Sequence, residues 1–212
     1  MKTFKQFFLK EQEDSSDKAV VFAYGRFNPP SIGHLKLINK VVDTAKRNNA
    51  DYFIVPSQSS AKPTPKQRQT NPLSLEQRIS ILKHMIIDPN AVVDFGTTFI
   101  NTLKKFQEMG YTTVIQIAGS DREEEFMRLV NKYNGQPDKT GEIPFHFKAY
   151  KFVSAGQRDP DSEGVSGMSA SKLRQYAIKG DLEKFKSGMA PLVPDELKQE
   201  AYQEVRKAFE IE

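Results

Sequence analysis

The chain has 212 residues, enough for one α/β domain with a single core, and 38% hydrophobic against 27% charged residues reads as globular and soluble rather than disordered. No apolar run approaches the length that spans a bilayer, charged residues from Lys2 to Asp14 interrupt any signal-peptide core, and the formal charge of +4 is spread along the chain without an arginine-rich arm or an aromatic RNA-binding signature. The absence of cysteine excludes disulfides, thiolate zinc sites and a cysteine nucleophile, and is compatible with a reducing cytoplasm.

Residues 1–17 read as an amphipathic or frayed leader, in which Phe4, Phe7, Phe8 and Leu9 share a helical face ahead of a polar stretch. Ala19-Val-Val-Phe-Ala-Tyr24 is a continuous apolar run, the pattern of a central parallel strand covered on both faces. A loop at 25–30 leads into a helix from about Ser31 to Arg47, with Ile32, Leu35, Ile38, Val42 and Ala45 at helical spacing. A second strand covers Asp51 to Pro56. Residues 57–72, rich in Ser, Gln, Pro and Lys, predict a long mobile loop. Ser74, with Gln77 three residues on, caps a helix expected to reach Ile87.

A short strand at Ala91–Asp94, a helix from Thr98 to Met109 stopped by Gly110, a strand at 113–118 and a helix from Asp121 to Tyr133 follow. A polar loop at 134–144 precedes a fifth strand at 145–153 and a second long loop at 154–168. Short helices start near Ser169, and a charged helix covers roughly Pro194 to Phe209. The alternation predicts a Rossmann-like α/β fold: a five-stranded parallel sheet with helices on both faces, plus C-terminal helices. The organisation expected is a leader at 1–17, one domain at 18–190 and a helical extension at 191–212.

Ligands of open parallel sheets bind beyond the carboxyl ends of the strands, so the loop after the first strand carries the first candidate site. It reads Gly25-Arg-Phe-Asn-Pro-Pro-Ser-Ile-Gly-His34. Gly25 permits close backbone approach, Ser31 is placed to cap the helix, Gly33 leaves space for a phosphate, and His34 faces the anion site of the helix N-terminus. A second helix start, Gly167-Met-Ser-Ala-Ser-Lys-Leu-Arg174, offers Ser169, Ser171 and Arg174. Two such N-termini would cradle a triphosphate. Walker and dinucleotide fingerprints are absent. His84 and His146 lack metal-ligand partners at suitable spacing and read as structural.

These residues carry a resemblance. Gly25 to His34 resembles the (H/T)xGH motif of the HIGH-type superfamily of cytidylyltransferases and adenylyltransferases, and its Gly-Arg-Phe-x-Pro is similar to archaeal-type nicotinamide mononucleotide adenylyltransferases. Met168 to Arg174 resembles the second motif, ISSTxxR. Ile117-Ala-Gly-Ser-Asp-Arg122, Lys132-Tyr-Asn-Gly135 and the stretch from Val153 through Pro160 to Arg174 are similar to nucleotidyltransferase-like proteins of T4-like phages. One departure stands at the first motif position, where Ser31 replaces His or Thr but keeps a hydroxyl.

The resemblance implies an enzyme that transfers a nucleoside monophosphate from an NTP, ATP or CTP, to a phosphorylated small-molecule acceptor, with Mg2+ entering alongside the NTP. It assigns His34 to the α-phosphate, Ser31 to phosphate support, and Arg174 with Ser169 and Ser171 to the β- and γ-phosphates. Arg26 becomes a phosphate contact within the Gly25-Arg26-Phe27 turn, Lys62 a residue closing over the triphosphate, and Gly119, Ser120 and Asp121 the border of base and ribose. No protein metal ligand, membrane or nucleic-acid partner is implied, and self-association is left open. The implied location is the cytoplasm of a phage-infected host cell or the virion interior. Leu9-Lys-Glu11 fits the Leu-x-Glu pattern cut by prohead proteases of such phages. The alternatives are a catalytically inactive nucleotide-binding or capsid-associated phage protein, and nucleotidyl transfer onto nucleic acid or protein.

Overall fold

Alternating burial along the first strand decides the architecture. In β1 (Ala19–Gly25), Val21 and Ala23 face one apolar cluster, while Val20 and Phe22 face another. A strand apolar on both faces needs cover on both, and it receives a parallel neighbour on each edge as well. β2 (Asp51–Pro56) pairs with one edge, setting Val21 opposite Tyr52, and β3 (Thr113–Ala118) pairs with the other, setting Val21 opposite Ile115. β4 (Ala149–Ser154) continues the sheet beside β3, giving the order β2-β1-β3-β4, parallel throughout. The structure is a computed structural model that describes residues 17–58, 62–95, 98–156 and 167–211. The leader up to residue 16, with Leu9-Lys-Glu11, and residues 157–166 of the expected loop at 154–168 lie outside the described residues.

On the Val21 face, α1 (Ile32–Asn48), α3 (Leu75–Lys83), α6 (Ala170–Ile178), α7 (Leu182–Ser187) and α8 (Asp195–Ala208) contribute Val41, Leu82, Leu173, Phe185 and Val205, all fully buried. On the Phe22 face, α4 (Phe99–Glu108) and α5 (Glu123–Tyr133) contribute Leu103, Phe106, Phe126 and Val130. Phe22 and Phe106 meet edge to face at 4.9 Å between ring centroids. Each side chain buried this completely contributes about 1.5–3 kcal/mol relative to exposure. Tyr202 and Val205 of α8 share a cluster with Val21, so the expected C-terminal extension packs into the common core. Among the described residues no helix is long and apolar enough to cross a membrane.

The expected architecture holds except that the sheet has four strands rather than five. The segment expected to form the strand at Ala91–Asp94 enters through a 3-10 turn at Pro89–Ala91, whose Asp88 side chain accepts from Asn90 N–H. What survives is one bridge between Val92 and Ile54, with Val93 N–H donating to the Ile54 carbonyl at 3.1 Å. The last strand begins at Ala149 rather than Phe145. Phe145 and Phe147 are buried, but the Asn134 side chain accepts from Phe147 N–H at 2.8 Å in place of a strand neighbour. α3 ends at Lys83, short of Ile87. The stretch expected to be a loop at 57–72 contains a helix, α2 (Pro65–Thr70), started by a Thr64–Gln67 capping box with proline at its first position.

Candidate active site

β2 lies on one side of β1 and β3 on the other, so the chain turns opposite ways after the first strand and leaves a crevice at the carboxyl ends of β1 and β3. A cleft of about 400 Å³ opens there. That is within the range of small-ligand pockets.

The loop after β1 makes the first wall. Phe27 sits in the left-handed region with φ 47°, an uncommon and costly conformation for a bulky residue, and only 3% of it is exposed. Its ring meets the His34 ring at 5.1 Å between centroids. Asn28 is 1% exposed and pairs with the Leu73 backbone in both directions: Nδ2 donates to the Leu73 carbonyl at 2.9 Å, and Leu73 N–H donates to Oδ1 at 3.0 Å. This is the pattern of one rung of a sheet, made by a side chain, and it ties the loop to the entry of α3. Behind it, the fully buried Arg78 donates through Nη1 to the carbonyls of Arg26, at 2.7 Å, and Ser57, at 2.8 Å.

Ser31 is the N-cap of α1 and is fully buried. Its backbone N–H donates to His34 Nδ1 at 2.9 Å, and its hydroxyl lies at the same distance from that nitrogen. A backbone N–H can only donate, so Nδ1 accepts, and the neutral ring then carries its proton on Nε2. Ser31 thus fixes the tautomer and orientation of His34 from below. The next N–H of the helix, on Ile32, donates to the Gly188 carbonyl at 2.9 Å. A Cβ on Gly33 would lie 2.1 Å from the Met168 carbonyl oxygen. The space that glycine creates is filled by the backbone just before α6.

α6 makes the second wall. Its N-cap, Ser169, accepts from Lys172 N–H at 3.2 Å. Arg174 donates through Nη1 to the Asn28 carbonyl at 2.6 Å and through Nη2 to Ser171 Oγ at 3.0 Å. Burial, and next to it the charge of Arg26, makes the Arg174 guanidinium less basic than an exposed one. It remains a cation at neutral pH. Two like charges converge here, and among the described residues no carboxylate lines the cleft. Such a surface attracts a multiply charged anion.

The third wall is the end of β3: Ala118, Gly119 and, beyond them, Arg122 and Phe126. The Arg122 guanidinium lies 5.2 Å from the centre of the Phe126 ring and pairs with Glu125 at 3.0 Å. Tyr24 faces this end, and burial raises the pKa of its hydroxyl.

Of the residues expected from sequence, Gly25, Arg26, Phe27, His34, Gly119, Ser169, Ser171 and Arg174 line the cleft together. Ser31 lies beneath His34 and Gly33 against Met168, neither on the lining. Ser120 and Asp121 are exposed in the 3-10 turn Ser120–Arg122, and Lys62 is exposed outside the lining. His84 caps the end of α3, and both it and His146 are exposed. The sequence reading missed Asn28, Arg78 and Arg122, and also Tyr24, Ser57 and Thr70 on the lining. Arg122 is the last residue of the stretch Ile117-Ala-Gly-Ser-Asp-Arg122. Among the described residues no group of three His, Cys, Asp or Glu side chains is placed to hold a metal ion.

The chain is similar to the solved structure of Thermotoga maritima TmcAL bound with alpha-thio ATP, at 12% identity and a TM-score of 0.49, covering 91% of this chain and 56% of that one. It is also similar to a macrolide-efflux protein from Streptococcus pneumoniae, at 14% identity and a TM-score of 0.44, covering 84% and 56% respectively. The chain therefore spans a little over half the length of each of these structures. No curated protein matches it. Residues 22–175, a stretch that takes in both helix N-termini and all three walls of the cleft, match the Cytidylyltransferase-like family, and the chain belongs to that family.

Proposed function

We propose that the chain is a nucleotidyltransferase that moves a nucleoside monophosphate from an NTP, ATP or CTP, to a phosphorylated small molecule and releases pyrophosphate. The observation that carries this reading is the convergence of His34, Arg26, Arg174 and the Ser169 helix start on one cleft, with no carboxylate among the described residues that line it. An acceptor phosphate oxygen, already ionised at neutral pH, attacks the α-phosphorus. The bond from that phosphorus to the bridging oxygen breaks, and its electron pair leaves on pyrophosphate. Such a reaction asks the protein for alignment and charge stabilisation rather than a covalent intermediate.

In this scheme His34 donates from Nε2 to an α-phosphate oxygen as charge builds, and Ser31 acts by holding the ring. Arg174, Ser169 and Ser171 take the β- and γ-phosphates. Arg26 takes the acceptor or nucleotide phosphate, and Lys62 closes over the triphosphate from outside. Gly119, with Ser120 and Asp121 at the rim, borders the base and ribose. Magnesium suits this donor set as part of the substrate, held by phosphate oxygens and water, because the described residues of the lining offer it no carboxylate.

A screen of NTPs against phosphorylated acceptors, nicotinamide mononucleotide among them, read by pyrophosphate release, tests the reading. NTP binding without release for every acceptor would favour a nucleotide-binding protein without turnover. Association with T4-like phages, and cleavage after Glu11, rest on sequence resemblance alone; mass spectrometry of virions tests both.

A further inference from the structure

Arg78 occupies a position on α3 that core packing would ordinarily give to an apolar side chain. It is 0% exposed, as is Leu82, and Ile81 is 2% exposed. A buried guanidinium is costly unless its donors are engaged. Its hydrogen bonds run to backbone carbonyls: Nε to Ser74 at 3.2 Å, and Nη1 to Arg26 at 2.7 Å and Ser57 at 2.8 Å. Nη2 is buried and has no hydrogen-bond partner among the described residues.

The Arg26 and Ser57 carbonyls lie just past the carboxyl ends of β1 and β2, and the two exits are zipped together by Ser57 N–H donating to the Gly25 carbonyl at 2.8 Å. In a trans peptide the C=O of one residue and the N–H of the next point in opposite directions. Neither the Arg26–Phe27 nor the Ser57–Gln58 peptide is cis. Arg78 lies behind the cleft wall, whereas Phe27 and Gln58 line it. Drawing the two carbonyls backward therefore turns the N–H groups of Phe27 and Gln58 forward, toward the cleft.

We propose that Arg78 is a positioning residue: its guanidinium fork sets two peptide units so that the N–H groups of Phe27 and Gln58 donate to the phosphate chain of a bound polyphosphate. This rests on the reading of the cleft as a phosphate site, not on turnover. Arginine is required for geometry, because one planar group reaches carbonyls on two strand exits and at the start of a helix, which an ammonium cannot reproduce.

The experiment uses inorganic tripolyphosphate and the full chain. In 15N-labelled wild-type protein, tripolyphosphate shifts the amide resonances of Phe27 and Gln58. By calorimetry, Arg78→Met and Arg78→Lys both bind it at least tenfold more weakly, with circular dichroism spectra like wild type. Unshifted amides in a wild-type protein that binds the probe would overturn the proposal, as would wild-type affinity in a folded Arg78→Met. Recovery of wild-type affinity by Arg78→Lys would also overturn it, since charge alone would then suffice. If the variants do not fold, the amide shifts of the wild type decide. Failure of the enzymatic reading is separate: tripolyphosphate binds and shifts both amides, but no NTP yields pyrophosphate.

Discussion

Arg174 donates to the backbone carbonyl of Asn28 at 2.6 Å, across 146 positions of sequence. The bond closes the two walls of the cleft on each other, because Asn28 belongs to the loop after β1 and Arg174 to α6. The same guanidinium touches Ser171 Oγ at 3.0 Å, so its plane is fixed before any ligand arrives. A preset cation loses little freedom on binding phosphate.

Arg174→Met removes both the charge and the clasp. KM for the NTP is expected to rise by roughly tenfold or more, about 1.4 kcal/mol of lost interaction, while secondary structure persists. Steady-state kinetics on the folded variant measure it. An unchanged KM would remove Arg174 from the phosphate site.

Asn28→Ala deletes two hydrogen bonds and strands the N–H and C=O of Leu73, itself 2% exposed. A loss of about 2–6 kcal/mol is expected, since each of the two buried groups left unpaired costs about 1–3 kcal/mol. Urea denaturation gives the value. A loss below ~1 kcal/mol would show that the Asn28–Leu73 pairing contributes little to the fold.

Much of this was legible in the sequence, and the reasons for the remainder are physical. Continuous apolar runs gave β1, β2 and β3, because a strand buried on both faces has little choice of composition. Ser74 and Gln77 gave the start of α3 through a local capping box. The same signal, Thr64-Pro-Lys-Gln67, starts α2 within 57–72, where the polar composition around it argues for a loop. Ala91-Val-Val looks like a strand, but the turn set by Pro89 leaves room for a single bridge. Within the site, the motif identified the cradle and left the facing of each residue open. Whether Gly33 makes room for phosphate or for backbone depends on Met168, far along the chain. Arg78 on an amphipathic helix reads as solvent-exposed until tertiary structure brings two strand exits against it.

Gly33→Ala tests that reassignment. The added methyl would stand 2.1 Å from the Met168 carbonyl oxygen, a contact that only backbone movement relieves. Overpacking of this kind costs about 1–3 kcal/mol, and α1 and α6 are expected to separate at their N-termini. A variant as stable as wild type, defective only in NTP binding, would restore the view that the space belongs to phosphate.

Stability is expected to fall at alkaline pH. Burial raises the pKa of Tyr24, Tyr52, Tyr111 and Tyr150 above the ordinary tyrosine value of about 10, and for Tyr111 the hydrogen bond to Asp51 adds to it. Below pH 10 both folded and unfolded chains keep these protons, so this contribution is fully present. Above it the unfolded chain loses protons that the folded chain retains, and the contribution is lost as pH rises further. Denaturation midpoints measured from pH 8 to 11 check this, and Tyr111→Phe is expected to flatten the decline. A midpoint that rises through pH 10 would contradict the assignment.

In the proposed reaction His34, held by Ser31 with its proton on Nε2, stabilises charge on the α-phosphate. The most direct test is pyrophosphate release under single-turnover conditions, with magnesium, an NTP and the acceptor found by screening, in wild type and His34→Ala. Wild type is expected to release one pyrophosphate per NTP consumed. His34→Ala is expected to be slower by about 10²–10³-fold, the scale of losing one donor to a developing oxyanion, while tripolyphosphate affinity stays within about threefold of wild type. Release by His34→Ala at the wild-type rate would show that His34 does not stabilise the charge that builds on the α-phosphate.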